Sequence, residues 1–258
     1  MELKKILQKL QDGKLDIEGA SSQIQSLGFT PVLEIAKADT HRLYRTGYPE
    51  AILAEGKTPE DVVEIVRVHL EHTGRVIVTR VSDIHYEKIH ESFNSQYIEW
   101  SPKSRSTVIN DGTPVKKTGG VVGVISAGTA DIGVAEEACI VAREMGCDVV
   151  SAYDVGVAGI HRLYPEISKF RDREVNAVVV AAGREGTLPA VVSGLIDVPV
   201  IGVPVSTGYG AGGKGEAALL SMLQSCSIIG VVNIDAGFVA GALAARIANM
   251  VAESKKNS

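Results

Sequence analysis

One pattern constrains this chain more than any other. After residue 118 a short aliphatic run, a loop of small and polar residues, and a stretch with helical spacing follow one another five times. The runs are GVVGVIS (120–126), DVVSAYD (148–154), NAVVVAAG (176–183), PVIGVPV (199–205) and IIGVVNI (228–234), and the helical stretches cover 132–145, 160–171, 189–195, 216–223 and 238–252. Strands that read as unbroken apolar runs are those covered on both faces, as in parallel sheets. A helix between each pair of strands implies right-handed crossovers. The expectation is an α/β fold with a doubly wound parallel sheet. Hydrophobic residues make up 45% of the chain but aromatics only 5%, so the core is aliphatic.

In an open parallel sheet the βα loops share the carboxyl edge. AGTAD (127–131), VGVAG (155–159), REGTLP (184–189) and STGYGAGGKG (206–215) should therefore crowd one rim. Small residues let a ligand approach the backbone, and helix N-termini offer N–H donors to phosphate. The last of these loops imitates a Walker A motif through Gly208, Gly213 and Lys214, but Gly215 stands where the magnesium-binding hydroxyl belongs. It reads as a Gly-rich flap with Lys214 reaching an anion, or as a plain surface loop. Ser126, Gly128, Thr129 and Asp131 are candidate ligand-binding residues, and Asp131 reads equally as a helix cap. Glu185, between Gly183 and Gly186, is a candidate acid or base, or else an exposed loop residue.

The first part of the chain, 1–115, has a different texture: it is charged and holds five of the six histidines. Helices are expected near 2–12 and 16–27, the second closing at Gly28, and over TPEDVVEIVRVHLEHTG, with Thr58 as cap, Pro59 in the first turn and Gly74 as stop. RVIVTRV (75–81) reads as a strand, and 104–120, rich in turn formers, reads as the linker to a second domain, 116–258. DTHRLYRTGYPEAI (39–52) packs Arg42, Arg45, Tyr48 and Glu50 around a turn, which suits anion binding, a domain contact or a solvated loop.

Several classes are disfavoured. A net charge of −5 gives no electrostatic reason to expect nucleic-acid binding. There is no apolar leader and no uncharged run of membrane-spanning length, so no membrane partner is expected and a cytoplasmic location is the simplest reading. The histidines show no zinc spacing. Cys139, Cys147 and Cys226 form no C-x-x-C pair. Cys139 lies inside a helix and Cys147 at the edge opposite the loops, both structural positions, while βα counting puts Cys226 at that far edge too, which favours a structural reading over a catalytic one without deciding between them.

The motifs GVISAGTADIGVAEEA, CDVVSAYDVGVAGIHRL, VVVAAGREGTLPAVVSGLIDVPVIGVPVSTGYG and ALLSMLQSCSIIGVVNIDAGFVAGALAARIA together resemble the aminoimidazole-ribonucleotide (AIR) carboxylase fold, a flavodoxin-like sheet. The resemblance is closest to the LarB family, whose N-terminal region DTHRLYRTGYPEAILAEGKTPED also resembles. Where the purine carboxylases have S-A-H-R, this chain has Ser151-Ala152-Tyr153-Asp154; where they have G-G-A-A-H-L-P it has Gly183-Arg184-Glu185-Gly186-Thr187-Leu188-Pro189, so Thr187 replaces a catalytic His.

The LarB resemblance implies carboxylation of the pyridinium C5 of nicotinic acid adenine dinucleotide by CO₂ or bicarbonate, and hydrolysis of its phosphoanhydride. The products are pyridinium-3,5-biscarboxylic acid mononucleotide, a nickel-pincer cofactor precursor, and AMP. It makes Cys226 the thiolate that adds to C4 and Glu185 the base, reversing the structural reading of Cys226 and requiring LQSCS to loop back toward the rim. It implies a substrate site of Ser126, Gly128, Thr129, Asp131, Asp154, Gly183, Gly186 and Lys214, magnesium as cofactor, and a homo-oligomer, an octamer. The alternatives are a purine-type AIR carboxylase or mutase and a non-catalytic nucleotide-binding module.

Overall fold

The computed structural model describes residues 2–26, 30–32, 35–40, 42–208 and 210–257. The chain divides into two compact units, Met1–Trp100 with Thr107–Thr113, and Ser101–Ser106 with Pro114–Ser258.

The first unit begins with helices α1 (Glu2–Gln11) and α2 (Ile17–Ser26); the expected stop at Gly28 lies outside the described residues. A ribbon of β1 (Thr30–Val32) and β2 (Ala36–Ala38) follows, then α3 (Arg42–Thr46), β3 (Ala51–Leu53), α4 (Pro59–Thr73), β4 (Arg75–Thr79), α5 (Asp83–Ser92), β5 (Ile98–Ser101) and β6 (Ser106–Asn110). The last four strands form one sheet, ordered β3-β4-β6-β5. Helix α4 starts and stops on the signals read from sequence. The Thr58 side chain accepts from the Asp61 N–H, and Gly74, at φ 72°, takes the left-handed stop position.

β6 corrects the linker reading of 104–120. Its flanking turn formers hide a short β-branched run, STVI, which is fully buried and pairs antiparallel with β4. The charged stretch 39–52 also resolves. Asp39 is bonded by Arg42 and Arg45, while Glu50 accepts from the Asp39 N–H and faces buried His69 at 3.3 Å. The charges of this stretch are thus spent on one another.

The second unit carries β7 (Val121–Ser126), α6 (Ile132–Glu144), β8 (Asp148–Ala152), α7 (Leu163–Asp172), β9 (Ala177–Ala182), α8 (Leu188–Ser193), β10 (Val200–Pro204), α9 (Glu216–Leu223), β11 (Gly230–Val231) and α10 (Gly237–Asn257). All five strands run parallel, in the order β11-β10-β9-β7-β8. β9 and β10 are buried along their whole length, as their aliphatic sequences demand. Helices α7, α8 and α9 share one core cluster with the sheet; α6 and α10 pack on each other and on β9. The doubly wound sheet is therefore present.

Two elements differ from expectation. The helix expected over 160–171 begins at Leu163, because Val157–Arg162 is an irregular 3-10 turn broken at Gly159 (φ −133°, ψ 54°). The strand expected over 228–234 pairs with β10 only at Gly230 and Val231. Among the described residues no helix is long and apolar enough to cross a membrane.

Candidate functional site

The strand order reverses between β7 and β9, and a crevice opens at such a switch point. Here it is a cleft of about 470 Å³, lined by the four βα loops that follow β7, β8, β9 and β10. Of the residues expected to form the site, it gathers Gly128, Thr129, Asp131, Asp154, Gly183 and Glu185.

Asp131 ties two of the loops together. One carboxylate oxygen accepts from the Gly128 N–H at 2.9 Å, and the other from the Thr207 hydroxyl at 2.8 Å. The residue is only 5% exposed. Its carboxylate holds the start of its own loop and borders the cleft, and it makes no side-chain capping bond to α6. Gly183 is needed beside this clamp. A Cβ there would lie 2.5 Å from the Thr207 carbonyl oxygen and 3.0 Å from the Asp131 carboxylate, too close for any side chain.

The loop after β8 presents a charged pair. Asp154 holds a left-handed backbone (φ 58°), and its N–H donates to the Ser126 hydroxyl at 3.2 Å. Its carboxylate accepts from the Arg162 guanidinium at 2.7 Å. Glu185 sits exposed at the cleft and makes no hydrogen bond or ion pair among the described residues. Thr187 lines the wall beside it, and no histidine is among the lining residues.

Four expected site residues are placed elsewhere. Ser126 is fully buried beneath the cleft, where its hydroxyl supports Asp154. Gly186 is also buried (φ 63°), and its missing side chain makes room for α9, since a Cβ would meet the Ala218 carbonyl oxygen at 2.7 Å. Lys214 is exposed at the end of the Gly-rich segment, whose first residues, Thr207 and Gly208, are the ones that reach the cleft. Cys226 is exposed outside the lining. The bond from the Ser227 hydroxyl to the Ala190 carbonyl and that from the Ser193 hydroxyl to the Ile228 carbonyl hold its segment along the flank of α8. Ser227 and Ile228 thus lie along α8, and Cys226 is not among the residues that line the cleft of its own copy.

The other two cysteines are buried, as expected. Desolvation pushes both the Cys139 and the Cys147 thiol up to about 11, so neither supplies a thiolate near neutrality. Among the described residues no group of three His, Cys, Asp or Glu side chains could hold a metal. Asp131 has both oxygens committed and Asp154 has its arginine. The cleft thus does not form a protein cage for magnesium, which keeps waters and leans on substrate phosphates in most of its sites.

Sequence reasoning missed Arg162, Arg184 and Thr207, all of which line the cleft. Arg184 and Thr207 were visible as neighbours of named loop residues. Arg162 was hidden because the expected helix swallowed it.

Comparison with known proteins agrees with this architecture. Residues 30–111 match the model of the LarB/PurE-like N-terminal domain, and residues 121–257 match that of AIR carboxylase. An uncharacterized protein of Methanocaldococcus jannaschii is 38% identical over 256 residues, spanning 96% of this chain and 98% of its own length. An N5-carboxyaminoimidazole ribonucleotide mutase of Pyrococcus horikoshii is 32% identical over 133 residues, 49% of this chain and 71% of its own. The same-named mutase of Thermotoga maritima is 30% identical over 90 residues, 33% of this chain and 50% of its own.

Proposed function

We propose a function from one premise: the chain belongs to the LarB family, an N-terminal LarB domain joined to an AIR carboxylase domain, and so is an enzyme of the carboxylase/mutase type. On our reading it carboxylates the pyridinium C5 of nicotinic acid adenine dinucleotide and cleaves the phosphoanhydride. The products are pyridinium-3,5-biscarboxylic acid mononucleotide, used in nickel-pincer cofactor synthesis, and AMP.

The observation that carries this reading over a purine-type reaction is the composition of the cleft. It has a carboxylate, Glu185, at its mouth and Thr187 where the purine enzymes' motif has histidine. A pyridinium ring is too electron-poor to attack CO₂. Addition of the Cys226 thiolate at C4 forms a C–S bond and leaves a dihydropyridine whose C5 is an enamine carbon. C5 bonds to CO₂, Glu185 takes the C5 proton, and the ring expels the thiolate as it regains aromaticity. Sulfur suits this sequence because it both adds and leaves readily.

Cys226 stands outside the cleft of its own copy, so this reading needs the thiol to arrive from a second copy in a homo-oligomer, for which we retain the octamer. Its neighbours in sequence favour burial against a partner: Leu220, Leu223 and Ile228 are 57%, 61% and 94% exposed. Magnesium, on this reading, enters with the substrate phosphates, and no step above passes through it.

Incubation with nicotinic acid adenine dinucleotide, bicarbonate and magnesium, followed by mass spectrometry, tests the proposal. The expected products are the dicarboxylated pyridinium mononucleotide and AMP, with none from Cys226→Ala. Turnover of carboxylated aminoimidazole ribonucleotide in their place would assign the purine-type reaction, and tight dinucleotide binding without turnover would assign a binding module.

A further inference from the structure

We infer that Arg162 binds an oxyanion of the substrate and that Asp154 is the residue that positions it. This rests on the dinucleotide reading above and adds the residue that reads the ligand's negative charge.

Three features build this arginine into the cleft. The Asp154 carboxylate holds one Nη at 2.7 Å. The rest of the guanidinium lies against Gly159, where a Cβ would come within 2.7 Å of Nε and 3.0 Å of the other Nη. Asp154 itself is held in a left-handed backbone by the fully buried Ser126 hydroxyl. A left-handed non-glycine residue is unfavourable and persists where the surroundings enforce it, commonly at ligand sites.

Stability does not account for this construction. The two side chains are 42% and 50% exposed, and an ion pair that open to solvent contributes little. The Arg162 side chain makes no other hydrogen bond among the described residues, and the residue lines the cleft. An arginine fork can hold a carboxylate along one edge and a second oxyanion along another, in fixed geometry. Lys214 lies outside the lining, which leaves Arg162 and Arg184 as its cationic side chains. The Arg162 guanidinium is pre-set by a carboxylate and a glycine cradle.

Two groups of the dinucleotide share the oxyanion chemistry, the ring carboxylate and the diphosphate. Calorimetric titration without bicarbonate or magnesium separates them, using nicotinic acid adenine dinucleotide and its carboxamide counterpart on wild type, Arg162→Gln, Arg162→Lys, Asp154→Asn and the Arg162→Gln/Asp154→Asn double variant. Loss of a charged hydrogen bond predicts a Kd about 10- to 100-fold higher for Arg162→Gln, with Arg162→Lys intermediate because it keeps charge but not the fork. A loss confined to the carboxylate form assigns the ring carboxylate; an equal loss on both forms assigns the diphosphate.

Asn tolerates the left-handed backbone, so Asp154→Asn removes the charge while keeping the turn. If Asp154 acts through Arg162, the double variant binds no worse than Arg162→Gln. Additive losses would overturn the positioning role. Arg162→Gln affinity within twofold of a wild type that binds and turns over the dinucleotide would overturn the Arg162 assignment alone. A folded wild type that binds neither dinucleotide would overturn the functional reading and this inference together.

Discussion

Thr207 donates its hydroxyl proton to Asp131 at 2.8 Å, joining the loops after β7 and β10 across 76 positions of sequence. The same carboxylate secures the Gly128 N–H. One buried side chain thus ties together two of the loops that line the switch-point cleft. Asp131→Ala leaves two donors without partners and should cost about 1–3 kcal/mol in urea denaturation. Asp131→Asn should cost less, because the Thr207 hydroxyl can rotate to accept from the new amide.

Gly183 has no room for even one carbon. Gly183→Ala would set its Cβ 2.5 Å from the Thr207 carbonyl oxygen, so one loop must move. We expect a loss of about 1–3 kcal/mol of stability and weaker substrate binding, read by denaturation and by KM. An unchanged KM would show that Thr207 does not border the bound ligand.

Glu185 is exposed, so its removal should leave folding intact while chemistry fails. Glu185→Gln is expected to melt with wild type and to lose roughly 10²–10⁴ in kcat, the usual contribution of a general base. A loss below tenfold would reassign the base.

If Cys226 and Glu185 of one working site come from different copies, two inactive variants can rescue each other. Cys226→Ala and Glu185→Gln, unfolded and reassembled together, should regain a clear fraction of wild-type carboxylation. Either variant reassembled alone should stay inactive. Absence of rescue, with mixed oligomers demonstrated by mass spectrometry, would require both groups to come from one copy.

In the first unit, the side-chain bond from Arg45 holds the Asp39 carboxyl below its ordinary range, outweighing the opposing effect of burial. Its folded-state pKa is lowered, so the linked stability is present above about pH 4 and disappears as pH falls through the folded value. Asp39→Asn should therefore cost about 1–2 kcal/mol at pH 7. The gap to wild type should narrow as pH falls below the ordinary aspartate range, measured by denaturant unfolding across the acid range.

The sequence by itself determined the sheet and the rim. Unbroken aliphatic runs such as AVVVAA can be buried on both faces only between helices, and parallel strands put their following loops at one edge, so Thr129, Asp131 and Glu185 could be named from position alone, whereas Asp154 was named through the family resemblance. It also showed Thr58 and Gly74 as the limits of α4, because capping is a local interaction between near neighbours. Side-chain direction and long-range pairing were decided by tertiary structure. Ser126 and Gly186 belong to the right loops but face inward, toward Asp154 and α9. Arg162 enters the cleft because Gly159 breaks a helix that periodicity continues, and Cys226 is drawn along α8 by two serine hydroxyls. Those outcomes depend on contacts between residues far apart in the chain, and spacing along a sequence carries no record of which distant surfaces meet.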